Sequence, residues 1–255
     1  MAAPIIELDS NSLNAVDGRH IRAVTFQAVR LDYVASTLNR LGLVPAGLRA
    51  LVAGSGRGLL ALGLARMGLD VTAVDPSAAA TAMARQAAEH EGLQVEFQTA
   101  TAEGLDLPRD AFDLAFYADT FEITEDPHAV IEHAARLLRP DGVLIYDTVN
   151  RTMLSRLIYL AAFQAIPLTR IMPRHRYSAA RLRPPAELGA LLAAHGLRNE
   201  QVCAFKPKDP RNLVKATIAR RQGKITDDQL PQLVDMVLEP DGPPVVTYLG
   251  YARKA

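Results

Sequence analysis

Cysteine is nearly absent from this sequence, since Cys203 is the only one among 255 residues. A disulfide within the chain is therefore excluded, which fits a reducing compartment. Charge of one sign is not in excess either, because 28 basic residues balance 28 acidic ones, so no overall field attracts nucleic acid. No run of about 18 uncharged apolar residues could span a membrane, and residues 1–10 lack the features of a secretory signal. We expect a cytoplasmic protein with no nucleic-acid partner.

What the chain does contain is an alternation of strand and helix patterns. Apolar runs typical of buried strands occur at 48–53, 70–74, 95–98, 112–117 and 143–146. Helical patterns occur at 21–41, 59–67, 78–91, 128–138 and 185–195. Two further strand patterns follow at 202–206 and 245–252.

This alternation predicts right-handed crossovers and a parallel sheet that is covered by helices on both faces. The apolar fraction of 49% is enough for a sizeable core. We predict one α/β domain over residues 1–255, doubly wound and Rossmann-like, with a seven-stranded, mostly parallel sheet. Its C-terminal strand is expected to be an antiparallel edge, and residues 1–45 to form an N-terminal helical cap.

A glycine-rich loop follows the first predicted strand of the sheet. Gly54, Ser55, Gly56 and Gly58 lie at its carboxyl end, where ligands bind in open α/β sheets. Asp75 closes the next strand about 20 residues further on, in the place from which a carboxylate accepts hydrogen bonds from ribose hydroxyls. Pro76 adjoins it. Together these residues predict a site for an adenosine-containing ligand.

The spacing of the glycines indicates which ligand this is. Dinucleotide sites need a glycine at the sixth position of the loop, and here that position is Leu59. The pattern G-x-G-x-G instead favours S-adenosylmethionine as the cofactor. An NAD-dependent oxidoreductase remains the alternative at this point.

Several segments resemble the ubiquinone-pathway O-methyltransferases, which act on polyprenylated dihydroxybenzoates and demethylubiquinol. The resemblance covers nearly the whole chain after residue 20, and its carriers are residues 28–34, 54–58, 112–127, 139–142 and 148–151. It implies that Arg30 reaches the methionine carboxylate of the cofactor. It also implies that Thr101, Ala102 and Glu103 border the adenine and that Ala118 lines the cofactor pocket.

Three positions depart from the pattern of that family. The family usually has an acidic residue where Val52 stands and a cysteine where Ser55 stands. A histidine that would serve as base or metal partner is replaced by Ile123. A protein that keeps the cofactor pocket without turnover, in a binding or regulatory role, is therefore the second hypothesis.

Without that histidine, the candidate catalytic groups are two carboxylates and one other histidine. Asp119 and Glu122 are three residues apart and could share a base role or bind Mg²⁺. The alternative is that Asp119 caps a helix at 120–123 and that Glu122 is solvated. His175 is the preferred substitute base, because insertions after the fifth strand commonly build the acceptor pocket in this fold.

Residues 148–184 form a basic, apolar insertion with seven arginines and no acidic residue. A basic helix with an apolar side can lie in a membrane interface, which predicts peripheral contact through 151–176 at the inner face of the membrane. The alternatives are an active-site lid and the face of a homodimer. We predict an O-methyltransferase that acts on a small hydrophobic phenolic, quinol or natural-product acceptor.

Overall fold

The computed structural model describes residues 4–10, 12 and 14–255. Two short parallel strands, β1 (Ile5–Ile6) and β2 (Ala15–Val16), precede helix α1 (Gly18–Arg40). The alternating part then runs through β3 (Arg49–Ala53), α2 (Leu59–Arg66), β4 (Asp70–Asp75), α3 (Ala78–Glu91), β5 (Val95–Thr99), β6 (Phe112–Tyr117), α4 (Pro127–Leu137) and β7 (Leu138–Val149).

The chain after β7 mixes helices with the remaining strands. Helix α5 (Met153–Ser155) continues as a π-helix over Arg156–Ala162. The elements that follow are α6 (Pro185–Ala194), β8 (Leu197–Pro207), α7 (Pro210–Arg221), a 3₁₀ helix (Asp227–Gln232), β9 (Met236–Glu239) and β10 (Thr247–Lys254). Within the described ranges, no helix combines the length and the apolar character that crossing a membrane requires.

Local sequence explains where the main helices begin. Asp17, Ser77 and Asp126 accept hydrogen bonds from backbone N–H groups in the first turns of α1, α3 and α4. These side chains satisfy donors that a helix start leaves unpaired. Gly92 ends α3 in the left-handed conformation (φ 66°), which glycine adopts without steric cost.

Eight strands form one mixed sheet in the order β5-β4-β3-β6-β7-β10-β8-β9. The five strands from β5 to β7 are parallel, whereas β10, β8 and β9 pair antiparallel. This mostly parallel core with antiparallel C-terminal strands confirms the α/β, Rossmann-like interpretation. Since the chain leaves β3 toward β4 on one side and returns to β6 on the other, a crevice opens beyond the ends of β3 and β6.

Helices cover both faces of the sheet and create two separate apolar layers. Helices α1, α2 and α3 pack on one face around Val34, Leu38 and Leu62. Helices α4 and α6 pack on the other around Ile131 and Leu188. A third cluster joins Tyr159, Met172 and Tyr177 of the insertion after β7 to Ile21 of α1 and Leu230 of the 3₁₀ helix.

The sheet differs from the sequence prediction at its C-terminal side. It has eight strands rather than seven, and β10 lies between β7 and β8 instead of forming the edge. The edge strand is β9, whose four residues are all half-buried and show no alternation to reveal them. Helix α7 and the 3₁₀ helix were not predicted. Of the N-terminal cap predicted at 1–45, residues 1–3, 11 and 13 lie outside the described residues.

Candidate active site

The glycine loop connects β3 to α2 at the crevice. Gly54, Gly56 and Gly58 have φ angles of 74°, 53° and 82°, a conformation that side chains rarely permit. A Cβ on Gly54 would overlap the carbonyl oxygen of Ala118 on the neighbouring strand end. At Gly56 the nearest atom to such a Cβ is Arg19 Nη2, 3.9 Å away. The loop thus lies against neighbouring backbone at Gly54 and is open at Gly56.

Asp75 is fully buried at the carboxyl end of β4. It accepts hydrogen bonds from the backbone N–H of Gly56 at 2.8 Å and of Ser77 at 2.9 Å. Arg19, from the first turn of α1, also donates to the Asp75 carboxylate, at 2.5 Å. A second carboxylate, Asp9, holds the other side of the Arg19 guanidinium at 2.8 Å.

A cavity of about 200 Å³ lies between the glycine loop, α1 and the segment after β6. Most of the residues predicted to bind the cofactor line it: Arg30, Gly54, Ser55, Gly56, Pro76, Thr101, Ala102, Glu103 and Ala118. Gly58 and Asp75 do not. Gly58 precedes α2 and packs against α3, where an added Cβ would lie 2.9 Å from that of Ala84. Asp75 is fully buried, with its carboxylate bonded to Arg19 and to the glycine loop. Asp119 and Ile123 are also in the cavity wall.

A buried network of charges forms the floor beside this wall. Arg30 donates to Asp147 at 2.7 Å and contacts Asp119 at 2.9 Å. Arg22 donates to Asp119 and, at 2.8 Å, to Glu122. Thr148 donates to the second oxygen of Glu122 at 3.0 Å. We call these two arginines and three carboxylates the arginine–carboxylate network.

Burial and charge shift the pKa values of the three acids in different directions. Burial raises the pKa of Asp147 to about 7, against the opposing effect of Arg30. Burial also raises the pKa of Glu122, although Arg22 is near. For Asp119, burial opposes ionisation, but Arg22 and Arg30 together hold its pKa well below the usual range. Asp119 is therefore a carboxylate at neutral pH.

This network argues against magnesium at Asp119 and Glu122. Both acids are already paired with guanidinium groups, which would repel a divalent cation. Among the residues that the structure describes, no three or more histidine, cysteine, aspartate or glutamate side chains are arranged to hold a metal ion. The alternative that Glu122 is solvated is also wrong, because Glu122 is fully buried.

His175 and His20 differ in their position relative to the cavity. His175 is exposed and is not in the cavity wall, where its neighbour Arg176 lies instead. Its role as a base stays a prediction. His20, in the first turn of α1, does line the cavity. Its Nε2 lies 2.8 Å from the Asp228 carboxylate, and its Nδ1 is buried with no hydrogen-bond partner.

Sequence reasoning missed three residues of this site, namely Arg19, Arg22 and Asp147. Arg22 shares a helix face with Arg30, eight positions later, so helical spacing could have revealed it. Asp147 precedes Thr148 at the carboxyl end of a parallel strand, where binding residues collect. No local signal marks Arg19, because its partner Asp75 is 56 positions away.

Comparison with known proteins identifies methyltransferases as relatives of this chain. A family model described as a methyltransferase domain matches residues 51–146. The ubiquinone biosynthesis O-methyltransferase of Xanthomonas axonopodis pv. citri (strain 306) is 35% identical over 185 residues, which are 72% of this chain and 74% of that one. The protein of the same name from Xylella fastidiosa (strain 9a5c) is 34% identical over 190 residues, 74% of each chain.

Solved structures agree with this at the level of the fold. Magnesium protoporphyrin IX methyltransferase from Synechocystis PCC 6803, with bound SAH, superposes with a TM-score of 0.60. The alignment covers 96% of this chain and 89% of that one at 20% sequence identity.

Proposed function

The chain belongs to the class I S-adenosylmethionine-dependent methyltransferases, and from this premise we propose that it methylates a hydroxyl group of a small hydrophobic phenol or quinol. The family assignment replaces the alternative of an NAD-dependent oxidoreductase. The observation that carries the proposal is the cavity in which the glycine loop, the end of β4 and the wall after β6 converge. The names of the relatives support oxygen as the methylated atom.

The residues present fit the methyl donor. Asp75 would accept hydrogen bonds from its ribose hydroxyls, and the open backbone at Gly56 leaves room for the chain of atoms beyond them. Arg30 lines the cavity and has a buried Nε without a partner, a donor suited to the methionine carboxylate. Glu103 would border the adenine. When bound, the donor supplies an electrophilic methyl group on a sulfonium.

A carboxylate for the ammonium group of the donor is also at hand. Val52, which stands where related enzymes have an acid, is fully buried in the apolar layer under α1 and α2. Asp119 lines the same cavity and is held as a carboxylate by its two arginines. We assign to Asp119 the role of ammonium partner that Val52 cannot fill.

The acceptor would occupy the part of the cavity beyond the donor. Ala23 and Ile123 contribute apolar surface there, and Arg176 from the insertion closes that wall. An aromatic ring suits apolar side chains around a few polar groups. Because transfer is an in-line displacement, these walls would act by aligning the acceptor oxygen with the methyl group.

Purified protein, radiolabelled S-adenosylmethionine and a panel of acceptors test this function. The panel contains catechol, 3,4-dihydroxybenzoate, a short-chain demethylubiquinol and, as a control for the methylated atom, histamine. We expect an O-methylated product, identified by mass spectrometry, with one or more of the aromatic hydroxyls. Methylation of histamine alone would overturn the choice of oxygen. Failure of the protein to bind S-adenosylhomocysteine, the demethylated cofactor, in calorimetry would overturn the cofactor site.

The insertion supports a second part of the proposal, which is contact with a membrane surface. Met153, Leu154 and Leu157 are exposed, with 78%, 45% and 60% of their surface in solvent, and Arg156 lies among them. Ile166 and Leu168 extend this exposed apolar surface. Tyr159 of the same segment is buried beside Tyr177. One side of the insertion thus packs inward, against α1 and the 3₁₀ helix, while the other would offer apolar and cationic groups to anionic lipid.

Flotation with vesicles tests the membrane contact. Vesicles that contain phosphatidylglycerol should carry the protein at low salt, whereas phosphatidylcholine vesicles should carry much less. Leu157→Glu should lower the bound fraction, and Val44→Glu, at a 71% exposed position elsewhere, should not. Equal binding of both variants would contradict this contact. A protein bound in this way would work in the cytoplasm, at the inner face of the membrane.

A further inference from the structure

We propose that His20 is the catalytic base that accepts the proton of the acceptor hydroxyl and that Asp228 orients it. The inference rests on the proposed O-methylation and names a residue for its proton transfer. Ile123, in the cavity wall, has no atom that accepts a proton, so the base has to be another residue. A phenol needs a base to become a good nucleophile near neutral pH.

The position of His20 is set by α1. His20, Ala23 and Arg30 line the cavity from this helix, at spacings of three and seven residues that share one face. Only 10% of the His20 side chain is exposed. Arg30, at the far end of this row, is the residue assigned to the methionine carboxylate. His20 therefore lies in the same wall as the donor site but away from its carboxylate end.

The hydrogen bonds of His20 define which nitrogen can act. Its Nε2 is 2.8 Å from Asp228 Oδ1, a contact in which Nε2 would donate and Nδ1 would be left to accept. Its Nδ1 is buried and lacks a partner, and buried polar atoms are almost always paired. An imidazole with one unpaired ring nitrogen, oriented by a carboxylate through the other, is the arrangement of an activated base.

The acids in and beside the cavity wall already have partners. In the wall, Asp9 is bonded to Arg19 and Glu103 to Thr124. Asp119 is paired with two arginines that suppress its protonation, which makes it a poor proton acceptor. Glu122 is fully buried between Arg22 and Thr148. Asp147 is fully buried, is bonded to Arg30, and does not line the cavity. Among the described residues of the cavity wall, His20 is the only histidine.

The proposed reaction transfers one proton to His20 and one methyl group to the acceptor oxygen. The O–H bond of the acceptor breaks and its proton passes to Nδ1 of His20. The oxygen electron pair forms the new O–C bond to the methyl group, and the electrons of the C–S bond return to sulfur, which becomes a neutral thioether. The imidazolium that results is stabilised by the Asp228 carboxylate and then releases its proton to water.

Chemical rescue distinguishes a base from a structural residue. His20→Gly should lower the rate of catechol methylation by roughly 10²–10⁴-fold, the usual contribution of general base catalysis. Added imidazole should restore part of that rate, because it can occupy the vacated space. His90→Gln, at an exposed position on α3, is the matched control and should leave the rate unchanged. Asp228→Asn should cost less than His20→Gly, since Asp228 is mostly solvent-exposed.

A spectroscopic probe tests the same role without turnover. The phenolate of 4-nitrocatechol absorbs at a longer wavelength than the phenol, and the demethylated donor S-adenosylhomocysteine allows a complex that cannot react. The natural protein should bind nitrocatechol as phenolate, and His20→Gln should bind it with more of the phenol form. Both proteins should bind S-adenosylhomocysteine alike in calorimetry, which shows that the variant is folded.

Three results would overturn the inference. One is a His20→Gln rate within threefold of the natural rate, and another is a loss in His20→Gly that imidazole does not rescue. The third is nitrocatechol that does not bind or does not ionise in the natural protein with S-adenosylhomocysteine. Failure to bind S-adenosylhomocysteine would instead overturn the cofactor site, so the two failures are distinguishable.

Discussion

Asp75 is bonded through both of its carboxylate oxygens. It holds the glycine loop through Gly56 and the turn into α3 through Ser77. Burial makes these contacts strong, because water does not compete for the carboxylate. The proposed contact with the cofactor ribose would be a further role of the same side chain.

Asp75→Asn should weaken binding of S-adenosylhomocysteine roughly ten- to hundredfold, since a hydrogen bond to a charged group contributes about 1.5–3 kcal/mol. Isothermal titration calorimetry measures the change. Asp70→Asn, at the exposed start of the same strand, is the control. Unchanged affinity in Asp75→Asn would remove the carboxylate from the cofactor site.

The arginine–carboxylate network makes the stability of the protein depend on pH at Asp147. Its pKa in the folded protein is about 7, whereas an unfolded aspartate has a pKa of about 3.9. Between these values the folded state binds the proton more tightly than the unfolded state does. The contribution of Asp147 to stability therefore decreases as pH rises through this window.

The comparison of the natural protein with Asp147→Asn measures this effect, because asparagine does not titrate. The free energy of unfolding of the natural protein, relative to that of Asp147→Asn, should fall between pH 5 and pH 7. Urea denaturation at both pH values supplies the numbers. A difference that is constant with pH would show that Asp147 is ionised throughout.

The described residues of the N-terminal arm (4–10, 12 and 14–17) contact the glycine loop, together with the first turn of α1. Arg57 of the glycine loop donates to Asp17 at 2.7 Å, and Asp17 in turn receives a hydrogen bond from the backbone of Asp9. Arg19 bridges Asp9 and Asp75. In the proposed binding mode the ribose hydroxyls bind the carboxylate that Arg19 holds, so binding of the cofactor would displace this guanidinium.

Arg19→Gln should therefore raise the affinity for S-adenosylhomocysteine several-fold, because no ion pair has to be broken before the ribose binds. The dissociation constant from calorimetry tests this, with Arg40→Gln at the exposed end of α1 as control. Weaker binding in Arg19→Gln would mean that Arg19 contacts the cofactor itself.

The C-terminal strand holds the two halves of the sheet together. β10 pairs with β7 on one side and β8 on the other, so the last strand of the chain is internal. Gly250 of β10 lies opposite Tyr146 of β7, and the Tyr146 ring crosses directly over it. Any side chain at position 250 would overlap that ring. The junction of the parallel and antiparallel parts of the sheet thus requires glycine at position 250.

Gly250→Ala should destabilise the protein by about 1–3 kcal/mol, the usual cost of overpacking a core. Gly189→Ala is a control that should change the free energy of unfolding in the opposite direction. That glycine lies inside α6 with nothing near an added Cβ, so alanine should stabilise by about 0.5–1 kcal/mol. Thermal or urea denaturation compares the two, and a neutral Gly250→Ala would contradict the close packing of Tyr146.

The amino-acid sequence by itself determined the parallel half of the fold and the chemistry of the ligand. Apolar runs, glycines after helices and Asp75 are local signals, because each reflects what a few neighbouring residues can do. The limits of β6 (Phe112–Tyr117) and α3 (Ala78–Glu91) were predicted to the residue for this reason.

Only the tertiary structure decided the place of β10, the arginine–carboxylate network and the contact of Arg19 with Asp75. Each of these joins segments that are far apart in the chain, and no local pattern encodes which distant group a side chain will meet. Asp119 and Glu122 show this most clearly. Their spacing suggested a metal site, but the two arginines that α1 places against them supply the positive charge instead.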